Sequence, residues 1–334
     1  MFNPNENRPR LKLPDFEAAR SRITPYVRRT PLVQATALKH PLPGISQLLL
    51  KLECMQVTGS FKARGAVNKL FSSPAEQIKR GIVTASGGNH GLAVAYAGWL
   101  AGVPTTIFLG CNTPATKAEK LKQWGARVVI EGAVWDDANR AALAMAAAEK
   151  APYFHPFADP QVIAGQGTIS LEILEETPEV DTLLVAIGGG GVISGVSVAA
   201  KALKPSIRVI GVEPIGAATL HDSLQVDQIV ELAEIKTAAN TLAPRRTERI
   251  NFDIIRQHVD EVVLVTDKEM WKAAHWLWFE MGIATELSGA ATVAALLADK
   301  YQPEASEQVC ALVCGAGTDG MEPFTDQLNR KNPQ

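Results

Sequence analysis

"DTLLVAIGGGGVISGVSVAAKAL", residues 181 to 203, passes from an apolar run through four consecutive glycines into a helix-like segment. An apolar run without polar alternation reads as a strand buried on both faces, as in a parallel sheet. Glycines 188 to 191 let successive backbone N–H groups converge on an anion at the helix N-terminus, with no Cβ in the way. A phosphate suits such a cup. The plain alternative is a tight strand-to-helix turn, although a turn seldom needs four glycines. A dinucleotide fingerprint fits poorly, because G-x-G-x-x-G started at Gly188 or Gly189 meets Ile193 or Ser194 where its third glycine belongs. The chain also lacks a G-x-x-x-x-G-K-[ST] loop.

Outward from this unit the same alternation repeats. "QLLLKLE", "GIVTAS", "PTTIFL", "ARVVIEG", "IRVIGVE", "DEVVLVTD" and "QVCALVCG" read as further buried strands. Between them lie helical stretches such as "NHGLAVAYAGWLAG", "PATKAEKLKQWG", "WDDANRAALAMAAAEK" and "TDKEMWKAAHWLWFEMG", the last opened by a Thr266-x-x-Glu269 capping box. Such alternation predicts an open α/β fold with helices on both sheet faces, and ligands at the carboxyl ends of the strands. No repeat or Pro/Gly/Ser-rich linker separates domains, so a second domain has to be interleaved with the first.

Composition narrows the function classes. The chain of 334 residues suggests about two domains, and a formal net charge of −2 gives no basic field for nucleic acid. "MFNPNENRPRLKLPDF" has no apolar leader, and no apolar stretch reaches membrane-spanning length, so no membrane partner is expected. Cys54, Cys111, Cys310 and Cys314 lack CxxC spacing, which fits a reducing cytoplasm better than a disulfide framework or a zinc site.

Three more stretches break the apolar pattern: "VTGSFKARGAVNKL" at 57 to 70, "ASGGNHG" at 85 to 91, and "VCGAGTDG" at 313 to 320. In the first, Lys62 reads either as a solvated lysine on an amphipathic helix capped by Ser60, or as a reactive amine beside small residues. A lysine paired with a phosphate cup suggests pyridoxal phosphate, whose aldehyde condenses with lysine while the protein grips its phosphate. "TGSFKARGA", "SGGNHG", "IAGQGT", "GGGGVISG", "GVEP" and "CGAG", in that order, resemble the fold-type-II pyridoxal phosphate enzymes, in the threonine/serine dehydratase and serine racemase branch. The resemblance runs from about Arg29 to Gly320.

It implies a tryptophan synthase β-like α/β fold of two open, twisted, mostly parallel sheets flanked by helices. Residues 81 to 157 would form a small mobile domain carrying the carboxylate loop, inserted into a large cofactor-binding domain made of 1 to 80 and 158 to 334. Lys62 would bind the cofactor covalently and then serve as the base that takes the Cα proton. Phe61 would pack beside the ring, Asn89 would donate to its 3'-oxygen, and Gly188, Gly189, Gly190 and Gly191 would hold the phosphate. Cys314 would face the pyridine nitrogen, a weak partner that leaves the ring neutral; the alternative is a small buried hydrophobe. Ser86, Gly87, Asn89 and His90 would cradle the substrate carboxylate at a helix start, with no proton transfer assigned to His90. Gln166 and Gly167 would line the same pocket from the start of the next helix.

Several positions depart from the family pattern. Gly87 stands where serine racemases carry a serine on the face opposite the lysine, so dehydration is favoured over two-base racemisation. Asn240-Thr241 replaces the usual Asp-Gly pair, which bears on substrate choice. Arg245 and Arg246 nearby are either a solvated pair or a grip for an acidic substrate. Glu213 remains where relatives bind a cation, but Thr219 replaces an aspartate, and no metal is expected. No isoleucine-sensing domain is expected after Gly320. The implied reaction is removal of water from a β-hydroxy-α-amino acid, threonine or serine, to give a 2-oxo acid and ammonia. Threo-3-hydroxyaspartate or phenylserine are the alternative substrates. β-Replacement, or a non-catalytic amino-acid-binding protein, are the alternative functions. The expected setting is a cytoplasmic homodimer or higher homo-oligomer.

Overall fold

The computed structural model describes residues 11 to 321 except 43 and 46. Residues 1 to 10, on which the reading of the N-terminal stretch rests, and the tail beyond 321 therefore lie outside the described residues. Helix α1 (Leu13–Ile23) is followed by strands β1 (Leu32–Gln34) and β2 (Gln47–Lys51), then α2 (Lys62–Ser72) and the single turn α3 (Ala75–Ile78). Three β-α repeats come next: β3 (Ile82–Ala85), α4 (Asn89–Ala101), β4 (Thr105–Leu109), α5 (Ala115–Gln123), β5 (Arg127–Ile130) and α6 (Trp135–Glu149). The chain continues through α7 (Pro160–Glu176), β6 (Thr182–Ala186), α8 (Gly191–Leu203), β7 (Arg208–Pro214), α9 (Thr219–Gln225) and α10 (Arg249–His258). It closes with β8 (Glu261–Val265), α11 (Asp267–Met281), α12 (Leu287–Leu297) and β9 (Gln308–Leu312).

Two sheets result. The larger has the order β1-β2-β9-β6-β7-β8 and the smaller the order β3-β4-β5. All ladders are parallel except β1 with β2, as β-α-β connection requires. All eight strands expected from apolar runs form. β1 was not expected: three residues, "LVQ", carry too short a pattern to signal an edge strand. β5, on the open edge of the small sheet, leaves Arg127 and Ile130 exposed, unlike the doubly buried β4.

Local chemistry sets the helix starts. Thr266 and Glu269 form the expected capping box, each side chain bonding the other's backbone N–H at 3.1 and 2.7 Å. Asp159 caps α7 through the N–H groups of Gln161 and Val162, with Pro160 at the first helical position. The cap expected from Ser60 is absent: Phe61 occupies the N-cap of α2, and the buried Ser60 hydroxyl bonds no protein group. β2, β3, β6 and β9 end on four stretches that flank one cleft: Lys62, the 86–90 loop, the glycine run and Cys314.

Candidate active site

Lys62 begins α2, and its Nζ donates to the Pro156 carbonyl at 2.7 Å while lying 5.1 Å from the Phe61 ring centroid. Burial lowers its pKa to about 8, against the opposing pull of Cys314 and Glu286, which makes the neutral amine accessible near physiological pH. Phe61 is buried, and its N–H reaches the Cys314 carbonyl at 3.3 Å. Cys314 points its thiol to the Ser288 carbonyl at 3.4 Å, and burial pushes its pKa well up. That thiol is a neutral group at any working pH.

The loop after β3 turns into the N-terminus of α4. Ser86 Oγ accepts from the Gly88 N–H at 3.3 Å, which curls the loop. Asn89 donates from Nδ2 to Glu286 at 2.9 Å across the cleft. The His90 ring bonds the Phe154 carbonyl through Nε2 at 2.9 Å, and burial lowers its pKa to about 3. It is thus neutral and turned away from proton transfer. A side chain at Gly87 would put its Cβ 2.8 Å from Thr113 Cγ2, so this position is also tightly walled.

The glycine run is packed to the backbone. A Cβ at Gly189 would lie 2.3 Å from the Phe157 ring, and one at Gly191 would lie 2.8 Å from the Phe157 backbone. Gly190 adopts φ +92° as the N-cap of α8, the left-handed region that glycine favours. Its neighbours' carbonyls are partly engaged, Thr247 donating to that of Gly189 at 3.0 Å. Among the described residues, none of the N–H groups of 188 to 191 donates to a backbone acceptor outside the helix.

Two expectations need correction. Gln166 and Gly167 do not begin a helix, since α7 starts at Pro160. Gly167 faces away from the cleft: a Cβ there would strike the Phe16 ring at 2.3 Å and the Gly195 carbonyl at 2.7 Å, so it serves the crossing of α7 with α1 and α8. Gln166 is buried with both amide atoms unpartnered. Arg245 and Arg246 lie half-exposed beside Glu231, at 3.4 and 3.9 Å, which is the solvated reading. Glu213 is fully buried and accepts from the N–H groups of Leu220 and His221 at 2.9 and 2.8 Å; burial raises its pKa to about 8. Thr219 donates to the Pro244 carbonyl at 2.9 Å.

Sequence reasoning did not single out Glu286, Ser288, Phe157 or Pro156. Glu286 joins Asn89 to Thr241, accepting from Thr241 Oγ1 at 3.0 Å, and burial raises its pKa to about 7. Its one signal is a carboxylate directly before the small-residue helix "LSGAATVAALL".

These features fit pyridoxal phosphate. A lysine whose amine is readily deprotonated, a glycine run whose N–H groups make no bond outside their helix, a buried neutral thiol and orphaned buried polar atoms, the hydroxyl of Ser60 and Nδ1 of His90 among them, are what such a group needs. The family model of pyridoxal-phosphate dependent enzymes matches residues 23–315. L-Threonine ammonia-lyase of Thermotoga maritima is 39% identical over 287 residues, covering 86% of this chain and 71% of that protein. Serine racemase of Oryza sativa is 37% identical over 310 residues, covering 90% of this chain and 89% of that protein. The solved structure of maize serine racemase superposes with a TM-score of 0.87 at 36% identity, covering 91% of this chain and 93% of that one. The chain accordingly belongs to the fold-type-II pyridoxal-phosphate-dependent enzymes, in the family of the threonine dehydratases and serine racemases.

Proposed function

We propose that the chain removes water from a β-hydroxy-α-amino acid, serine or threonine, and releases a 2-oxo acid and ammonia. Bound pyridoxal 5'-phosphate supplies an aldehyde and a conjugated ring that acidify the Cα–H of an attached amino acid. Gly188, Gly189, Gly190 and Gly191 would hold its phosphate, Phe61 and Asn89 would hold its ring, and Cys314 would offer a neutral thiol to its pyridine nitrogen. Lys62, mostly neutral above about pH 8 and with a neutral fraction that falls as pH drops below it, takes the Cα proton. Ser86, Asn89 and the N–H groups of the 86–90 loop orient the substrate carboxylate at the start of α4. Gln166 lies buried beside Gly65, one turn along α2 from Lys62, and its unpaired amide faces the same polar interior. The hydroxyl departs as water, and the freed enamine hydrolyses to the 2-oxo acid and ammonia.

What supports this reading is a deprotonatable lysine at position 62 together with a glycine at position 87, where the resemblance puts the second acid–base serine of racemases. Serine racemases are also among the relatives, but inversion needs a second proton carrier, and Gly87 has no side chain to supply one. The arginine pair beside Glu231 gives no grip for hydroxyaspartate. Residues 81 to 157 are taken as a small domain whose closure excludes water. The setting proposed is a cytoplasmic homodimer or higher homo-oligomer; all four cysteines are free, a state a reducing compartment preserves. No helix among the described residues is long and apolar enough to cross a membrane.

The test is 2-oxo acid release from L-serine, L-threonine, threo-3-hydroxyaspartate and phenylserine, with chiral analysis of the recovered amino acid. Release from serine and threonine that outpaces formation of the D-enantiomer supports the reading. D-Enantiomer appearing at the rate of the 2-oxo acid or faster rejects it.

A further inference from the structure

The segment that follows the glycine run in space, though not in sequence, is the short 3-10 turn Asn240–Leu242. Thr241 in this turn touches both anion-binding stretches. Its carbonyl oxygen lies 2.9 Å from the position of a Cβ on Gly188, and its Cγ2 lies 3.8 Å from the position of a Cβ on Gly88. The first contact is with the phosphate cup and the second with the carboxylate loop. On the dehydratase reading, an amino acid whose carboxylate sits on that loop would carry its β-carbon toward the space between.

The orientation of Thr241 is fixed by chemistry. Its hydroxyl shares hydrogen bonds with Glu286 Oε1 at 3.0 Å and Ser288 Oγ at 2.5 Å. A β-branched side chain so tied has one χ1 setting, and the methyl is left to face the gap. The wall it presents is apolar. The charged group directly behind it is the Glu286 carboxyl, while Arg245 and Arg246 of the same segment pair with Glu231.

We infer that Thr241 is a specificity-determining residue: its methyl, held toward the 86–90 loop by the bonds of its hydroxyl to Glu286 and Ser288, admits a hydrogen or methyl beside the substrate β-hydroxyl and excludes bulkier substituents. This rests on the dehydratase reading and deepens it, because it names the class of β-substituent. A pocket wall of one methyl discriminates by about 10-fold to 200-fold.

The experiment compares the parent holoenzyme with Thr241→Ser, Thr241→Gly and Thr241→Val. Two quantities are read: kcat/KM for L-serine, L-threonine and phenylserine, and calorimetric Kd for L-alanine and L-phenylalanine, which carry no leaving group. Thr241→Ser keeps the hydroxyl and removes only the methyl; Thr241→Gly removes the whole wall. Both are expected to shift the phenylalanine-to-alanine Kd ratio and the phenylserine-to-serine kcat/KM ratio toward the larger ligand, by about tenfold or more for Thr241→Gly. Thr241→Val keeps a branched wall and is expected to hold both ratios near the parent's. Ratios in Thr241→Ser and Thr241→Gly that stay within about twofold of the parent overturn the inference. Should the parent release no 2-oxo acid from any substrate, the dehydratase reading fails, and the Kd ratios still decide the role of Thr241.

Discussion

Helix α2 separates two buried polar clusters that are two residues apart in sequence and opposite in character. Around Arg64, nothing is left unpaired. Its guanidinium meets Glu53 at 2.8 Å through both Nε and Nη2, and Glu172 at 2.6 and 2.8 Å through Nη1 and Nη2. Lys51 donates to Glu172 at 2.6 Å and to the Thr30 carbonyl at 2.8 Å, and Thr30 donates to Glu53 at 2.5 Å. Two cations and two anions cancel, and all four carboxylate oxygens accept. Elsewhere, by contrast, the hydroxyls of Thr58 and Ser60 just before Lys62, His90 Nδ1, both amide atoms of Gln166 beside Gly65, and Asn251 Oδ1 beside Gly190 are buried without a partner. Burial without pairing costs free energy, so a chain retains it only where something else completes the bonding. The first cluster serves the folded chain itself; the second is completed by a guest.

Substitutions in the first turn of α2 put this contrast at risk. Lys62→Ala is expected to abolish turnover by about 10³-fold or more while leaving the urea midpoint close to the parent's. The matching pH test uses cofactor-free parent protein. Burial lowers the Lys62 pKa to about 8, so the amine is mostly protonated below that pH and neutral above it. Covalent uptake of pyridoxal phosphate, trapped with borohydride, is expected to rise by about tenfold per pH unit and level off above about pH 8. A flat profile removes Lys62 from its role.

Arg64→Met reverses the pattern, since it leaves two buried carboxylates facing Lys51 alone. Stability is expected to fall by about 3–5 kcal/mol in urea titration. Arg64→Lys restores charge but not the bidentate geometry, and is expected to recover only part of that loss. A neutral result for Arg64→Met dissolves the distinction drawn between the clusters.

Gln166→Met sharpens it. Replacing an unpaired buried amide with an apolar side chain of similar length is expected to stabilise cofactor-free protein by about 1–3 kcal/mol while weakening cofactor or substrate binding. A loss of stability instead places Gln166 with the structural cluster. The smallest effect is expected at Cys314. Cys314→Ser keeps a neutral group against the Ser288 carbonyl, and 2-oxo acid release is expected to stay within about tenfold, or about 1.4 kcal/mol of barrier. A collapse of rate shows that the sulfur itself matters.

The chain order made some of this legible and hid the rest. Buried parallel strands announce themselves as continuous apolar runs, and the glycines before α8 mark their own turn, because both signals are local. Lys62, Asn89 and Cys314 stand out in the sequence because each sits in a compact motif. Glu286 was not: its bond to Asn89 joins residues 197 apart. The Arg64 cluster has the same difficulty, with Lys51 and Glu172 separated by 121 residues. Gly167 was misassigned for the opposite reason, since "AGQGT" shows that small residues are required but not whether a ligand or Phe16 requires them.

Strand order in the six-stranded sheet also governs when the molecule becomes competent during synthesis. The smaller sheet draws on a stretch from Ile82 to Ile130 and can pair as soon as that stretch is out. The larger sheet cannot, because β9 lies between β2 and β6 and is the last strand made. Until it emerges, β2 and β6 have no common neighbour, and their inner edges stay open to other chains. Closing that gap joins segments more than 250 residues apart, Gln47 with Gln308, a slow long-range step. Cys314 follows β9 directly, so the final ladder and the last wall of the cleft arrive in one event. Among the described residues, the pairing of β9 with β2 and β6 is therefore the long-range step on which closure of the larger sheet waits.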